Sequence, residues 1–441
     1  MDLRNSNLRK TFFQYLIASF GGALISSIYS IVDLAMVGKY QGAEGTAAIA
    51  LISPFWNVIY SLGLLVGIGG AVPFSTLRGK SEKSKSNEYF TASVIAGIVL
   101  ALITWVVMIF FDRQLLLVFG ANETLMPLAR AYIYPIKFAV PLFIFNQMLS
   151  AFVRNDGDPS LATKGVMFGG IFNVFGDYFF VFTMDMGIMG AGLATAIGQF
   201  FTFLIIITHF RSKLNTLKWV RPQAILHKWK VIITTGFSTF FVDVAMGILT
   251  VFFNRQIMKY LNTNALAIYG IVANIGTFAQ CCAYSVGQAA QPIISVNLGA
   301  GKGKRVRSVL RYSLVAVAFF GVFWTVLSLS VPNMYVKLLT TPTDELLAIA
   351  PGIIRKYGLS FLLQPLNIFS TYYFQALMKR RTSFTVSVSR GAVISGILIY
   401  TLPALFGADS IWFAMPITEL VVAVYVVINM RRYTRQLPGL A

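Results

Sequence analysis

Two aspartates stand in stretches that otherwise read as hydrocarbon. Asp33 interrupts SSIYSIVDLAMVG, and Asp177 interrupts GGIFNVFGDYFFVF, where its neighbours include Phe175, Tyr178, Phe179 and Phe180. An ionisable side chain in such surroundings is costly in a bilayer and marks a functional site by default. Each has a polar partner at helical spacing. Tyr29 lies one turn before Asp33 and Asn173 one turn before Asp177, so each pair shares a helix face. Thr195 and Gln199 repeat the four-residue interval further along, and Tyr132, Asn146, Gln147 and Ser150 add polar groups from another segment. The set offers two carboxylates with amide and hydroxyl oxygens. Hard oxygen donors suit an alkali cation such as Na⁺, with Asp33, Asn173, Asp177 and Thr195 as its ligands. Two carboxylates sharing a low-dielectric site can instead carry a proton between them.

The second half of the chain is poorer in buried charge. Asp243 and Glu419 are its notable acids, and Asn254, Asn274, Gln280, Gln288, Gln364, Asn367 and Gln375 supply amides. Asp243 and Glu419, with Gln280 and Gln364, are candidates for contact with a cationic substrate. Arg255, Arg355 and Lys356 lie near segment ends, where long side chains reach the interface. A membrane-embedded enzyme is excluded on residue types. The only histidines are His209 and His227, which with short loops assemble neither a metal triad nor a nucleophilic set. Cys281 and Cys282 are adjacent, their directions on a helix differing by about 100°, so no disulfide framework is expected and no cofactor is called for.

These residues need apolar elements to hold them. Of 441 residues only 12% are charged, against about 25% in soluble proteins. Apolar segments fall at 11–38, 46–77, 87–111, 127–153, 160–183, 188–210, 231–260, 264–297, 308–331, 346–378, 383–406 and 410–430. Each exceeds the roughly 20 residues that cross a bilayer as a helix. The basic start MDLRNSNLRK leads into the first of them without a signal-type cleavage site, so a retained span is expected. The prediction is an all-α integral membrane fold of twelve transmembrane helices. Pro54, Pro141, Pro292, Pro365 and Pro416 lie within spans as kink or hinge points, and GIMGAGLATAIG carries small residues for close packing.

Net charge +20 raises nucleic-acid binding as a partner class, but the basic residues sit between apolar segments. Alternate loops carry 27 basic residues, including Arg78, Lys80, Arg305 and Arg390, against five on the other side. The positive-inside rule then places both termini in the cytoplasm and makes the anionic leaflet the partner of that charge.

The longest polar connector divides the chain into a first bundle (1–215), a connector (216–230) and a second bundle (231–441). FSTLRGKSEKSKSNEYF at 74–90 echoes ISVNLGAGKGKRVRSVL at 294–310, and residues 38–50 echo 258–270 at the same offset of 220. The chain thus reads as two pseudo-symmetric six-helix bundles, the pattern of transporters built from repeats. At that offset Asp33 faces Phe253, so the acidic chemistry does not repeat.

VDLAMVGKYQG, RNDGDPSLA, NVFGDYFF, GAGLATAIGQ and GQAAQPIISVNLGAG together resemble the multidrug and toxic compound extrusion (MATE) transporters, and most closely their prokaryotic DinF-type branch with its MepA-like exporters. The resemblance runs the length of the chain. It implies a monomeric antiporter in a bacterial or archaeal plasma membrane that moves small amphipathic organic cations outward against Na⁺ or H⁺. It also implies alternating access by two rocking bundles around a central cavity. In that branch the cation site of the N-lobe uses a first-span Asp with a Tyr one turn earlier, a fifth-span Asn-x-x-x-Asp and a sixth-span Thr. Tyr29, Asp33, Asn173, Asp177 and Thr195 occupy those positions. The fourth-span polar positions fall on Tyr132, Gln147 and Ser150, two of which replace asparagines. The first-span proline of some relatives is missing, leaving Gly21-Gly22 as the weak point. Asp243 is not carried over from the C-lobe acid of other branches. A lipid-linked oligosaccharide flippase of related fold is the alternative, though such proteins usually need a strongly basic cavity. A major facilitator protein would show a different second-to-third loop from LRGKSEKSKSNEYF.

Overall fold

A computed structural model describes residues 3–339 and 343–439, with the side chains of Ala43 and Pro54 outside the described set. Among the described residues there is no strand, and twelve helices are long and apolar enough to cross a membrane. They are Leu8–Gly42, Glu44–Gly79, Lys83–Phe110, Leu125–Asn155, Pro159–Thr183 and Gly187–Arg211, then Ile225–Tyr260, Thr263–Gly299, Gly303–Ser330, Asp344–Ala376, Arg380–Phe406 and Ala408–Arg435. All twelve expected spans are present. Several reach 35 to 37 residues, well beyond the roughly 20 that hydrocarbon requires, because their polar ends continue as helix outside it.

Local chemistry sets the boundaries. Asp158 caps the fifth span by accepting from the Leu161 amide at 3.2 Å, and Pro159 takes the first helical position, where its missing N–H is harmless. Asn262 caps the eighth span in the same way at 2.9 Å. The first and second spans form one helical trace that bends at Gly42, where φ is +65° and ψ −151°. Open space surrounds that Cα, so the backbone conformation rather than packing requires glycine there. Pro365 acts as expected: the tenth span runs as helix to Gly358, tightens through Leu359–Leu362 and restarts at Gln364. Helix continues through Pro141 and Pro292, and Pro416 sits in the first turn of its helix.

Contacts divide the chain into two compact units, with the main boundary inside the seventh span at Phe240 and Phe241 and the short Asn7–Phe12 stretch grouping with the second unit. The first unit is built on Ile52, Met108, Ile133, Ile144, Val181 and Ile188. The second centres on Phe253, whose ring stacks on Tyr269 at 4.7 Å, with Ile275, Phe361 and Trp412 around them.

Small residues bring the helices of the first unit close, as GIMGAGLATAIG predicts. A β-carbon built on Gly169 would fall 2.6 Å from the Gly198 carbonyl oxygen, so fifth and sixth spans meet backbone to backbone. One built on Gly192 would fall 2.1 Å from the carbonyl oxygen of Tyr132 on the fourth span. That approach matters for function because Tyr132 reaches Asp33. Gly192→Val is expected to push the two backbones apart, with a stability loss of about 1–3 kcal/mol from overpacking. Thermal unfolding in detergent checks this, and an unshifted midpoint would remove Gly192 as a packing determinant.

The polar connector lies extended along the third span. The amides of Lys218, Val220 and Gln223 donate to side-chain oxygens of Asn87, Thr91 and Glu88 at 2.8–3.1 Å, and Trp229 Nε1 donates to the Ala92 carbonyl. Ahead of it, Asp156 is the hub of a buried cluster. It pairs with Arg78 at 3.2 Å and His209 Nε2 at 2.9 Å, and accepts from the Thr216 amide at 2.7 Å and from the Thr216 hydroxyl.

One expectation is corrected. Arg390, counted among loop residues for orientation, lies inside the eleventh span and is 4% exposed. A guanidinium survives there because it is paired, its Nε lying 2.6 Å from Glu419 Oε1. The loop asymmetry becomes 26 against five and keeps its sign.

Candidate cation-coupling site

The fifth span carries the centre of the site. Its Asn173 and Asp177 stand one turn apart on a face made accessible by glycine: Gly170 receives the Tyr29 ring and Gly176 receives Ala194. This places first, fifth and sixth spans side by side at the depth of the two polar residues. Asn173 is 2% and Asp177 0% exposed. The amide of Asn173 donates to Thr195 Oγ1 at 3.1 Å and more weakly to Asp177 Oδ1 at 3.5 Å. Both uses engage the same nitrogen, so the carbonyl oxygen of Asn173 is left as an acceptor. From the fourth span, the Tyr132 hydroxyl donates to Asp33 Oδ2 at 2.7 Å and orients that carboxylate. Asp33 and Asp177 lie within electrostatic reach of one another.

Three buried oxygens in this cluster accept no protein hydrogen bond: Asp33 Oδ1, Asn173 Oδ1 and Asp177 Oδ2. Each such group costs about 1–3 kcal/mol when left unsatisfied. Two carboxylates and an amide oxygen with spare acceptor capacity suit a proton or a monovalent cation. No group of three or more His, Cys, Asp or Glu that could hold a metal ion occurs among the described residues, so the donor set is one of low charge.

The remaining sequence candidates are placed elsewhere. Gln147 packs its β-carbon into the space left by Gly63 on the second span, and Ser150 is buried further along the fourth span. Gln199 is engaged by Asn146, whose Nδ2 donates to both its side-chain oxygen and its backbone carbonyl at 2.9 Å. In the second unit Tyr284 donates to Asp243 Oδ1 and receives Gln280 Nε2 at 2.6 Å, so the hydroxyl links the two candidates. Gln364 reaches the Gly276 carbonyl at 3.5 Å. Tyr284 escaped the sequence reading although it lies one turn from Gln280. The Arg390–Glu419 pair escaped it too, although the span drawn over 383–406 contains the arginine.

These features define a class, a two-unit polytopic membrane protein of twelve spans with buried carboxylates inside its helix bundles. The family model MatE matches residues 18–179 and again 238–401, once in each half. The chain belongs to the MatE family. It is 26% identical over 402 residues to the multidrug export protein MepA of Staphylococcus aureus strain MSSA476, covering 90% of this chain and 88% of that protein. With MepA of Staphylococcus saprophyticus it shares 24% identity over 424 residues, covering 95% and 92%. Among solved structures, its fold matches a multidrug resistance MATE family transporter of the MOP superfamily in an outward-facing conformation, with a TM-score of 0.90, 18% identity and coverage of 99% and 97%. A MOP superfamily transporter from Pyrococcus furiosus matches at a TM-score of 0.89 and 18% identity, covering 99% and 98%.

Proposed function

We propose that this protein is a secondary active multidrug exporter that moves amphipathic organic cations out of the cell against Na⁺ or H⁺. Family membership and relatives described as multidrug export proteins support the export role. The observation that supports the coupling is that three buried oxygens, on Asp33, Asn173 and Asp177, accept no protein hydrogen bond. In this reading Tyr132 holds Asp33 in register, Asn173 commits its amide to Thr195 and offers its carbonyl, and Asp177 supplies the second charge. Tyr29 closes the face against Gly170. A coupling ion and a drug that favour different conformational states drive each other's movement, each shifting the equilibrium by its differential affinity. In this reading the basic loops face the cytoplasm with both termini, the protein acts as a monomer in a bacterial or archaeal plasma membrane, and the coupling ion is the accessory required.

The test is ethidium efflux from proteoliposomes under an imposed Na⁺ gradient and, separately, an imposed pH gradient. At least one gradient is expected to drive efflux, and whichever does so names the ion. Efflux driven by neither removes the antiport reading.

A further inference from the structure

The third and ninth spans are one element built twice. Lys83–Phe110 and Gly303–Ser330 each have 28 residues and start 220 positions apart. Each also follows a left-handed residue two places before its start, Ser81 at φ +66° and Gly301 at φ +70°. What lies on their first turns differs. In the first unit Asn87 and Thr91 are one turn apart and 6% and 0% exposed. They accept from the connector amides of Lys218 and Val220 at 3.0 and 3.1 Å, so a stretch of polypeptide covers that face. The corresponding positions of the ninth span hold Arg307 and Arg311, and both are exposed.

Nothing acidic stands near them in sequence, since residues 244–343 contain no Asp or Glu. Among the described residues neither arginine forms an ion pair, whereas Arg305 beside them is engaged by Asn297 Oδ1 at 2.9 Å. The stripe continues into the span. Val315, Ala318, Val322 and Val326 follow Arg311 at steps of three or four residues and so share its helix face. With Phe319 and Phe323 they line a groove of about 770 Å³ that is apolar but for Ser330 at its far end. The rings of Phe319 and Phe323 stack one turn apart at 6.3 Å. From Val315 to Val326 the helix rises about 17 Å, close to half of the roughly 30 Å hydrocarbon thickness.

We infer that this stripe is a binding site for one anionic phospholipid, with its phosphate on Arg307 and Arg311 and an acyl chain in the groove from Val315 to Val326. The lipid covers in the second unit the face that the connector covers in the first. Guanidinium forks match phosphate oxygens in geometry as well as charge, and the apolar floor begins one turn from Arg311. A zwitterionic lipid offers the same chain but brings its own cation to two arginines. A second copy of this chain, placed on the same face by a two-fold axis, would set like charges against each other.

The test is native mass spectrometry of purified full-length protein in detergent, titrated with phosphatidylglycerol or with phosphatidylcholine of the same chains. Phosphatidylglycerol is expected to bind about tenfold or more tightly than phosphatidylcholine, and each of Arg307→Gln and Arg311→Gln should weaken it about fivefold. Arg431→Gln/Arg432→Gln removes the same charge from another exposed basic pair and should leave its affinity unchanged. Ala318→Trp fills the groove and should weaken both lipids with the arginines intact. These positions are exposed, so the variants should fold, and the thermal midpoint checks it; if Ala318→Trp does not fold, the arginine variants decide alone. Equal affinity for the two lipids, an equal loss in Arg431→Gln/Arg432→Gln, unchanged binding in folded Ala318→Trp, or dimers in place of bound lipid overturns the site.

Discussion

Asp177→Asn is expected to abolish gradient-driven ethidium efflux while the protein still inserts and folds. Asparagine matches aspartate in shape, and its carbonyl can keep the contact that Asn173 Nδ2 makes with Asp177 Oδ1. What disappears is the charge, at a residue that is 0% exposed and whose other oxygen accepts nothing from the protein. A cluster left with the single carboxylate of Asp33 loses most of its differential affinity for a cation or proton. Coupling free energies of 1–3 kcal/mol correspond to about 5- to 150-fold, so efflux should fall by about two orders of magnitude. The measurement is initial efflux rate in proteoliposomes, normalised to inserted protein, beside the thermal midpoint in detergent. Efflux at the natural rate would show that the coupling ion is bound elsewhere.

The second large effect concerns folding. Asp156→Ala removes the carboxylate that receives Arg78, His209, the Thr216 amide and the Thr216 hydroxyl. His209 is itself 0% exposed, so removal strands a polar ring where water does not reach, and the half-buried Arg78 loses its partner. Breaking one partner of such a buried pair costs about 3–5 kcal/mol. The expected results are a much lower unfolding midpoint and proteolysis within residues 212–224, since Thr216 anchors the start of the connector. An unchanged midpoint would show that the connector is held by its contacts to Asn87, Glu88 and Thr91 alone. Asp156→Asn, which retains two acceptor positions on one oxygen, should lie between the two.

The chemistry of the two sites was unequally legible. Tyr29, Asp33, Asn173 and Asp177 stood out because polar residues at four-residue spacing inside apolar runs have few alternatives. Tyr132 was visible as a polar residue, but not as the donor to Asp33, since that contact joins positions 99 residues apart. Gln199 looked like a neighbour of Thr195 on one face, yet its side chain turns to Asn146 on the fourth span. Arg390 was misread because charge is taken as a sign of solvent, and only the opposite charge of Glu419 across a helix interface makes its burial possible.

By itself the chain determined its spans, their number and the duplication. Those follow from interactions local in sequence, namely hydrocarbon length, caps such as Asp158, breakers such as Pro365 and the repeated loop pattern. Tertiary structure decided which polar atoms meet. It showed that glycines at 170, 176 and 192 set the distances at which Tyr29, Ala194 and Tyr132 approach the acidic face. It also showed that one clasp is built twice, neutral in the first unit between Asn146 and Gln199 and charged in the second between Asn367 and Glu419. Such pairings depend on close approach between helices far apart in the chain, and helical periodicity constrains a face without naming what will lie against it.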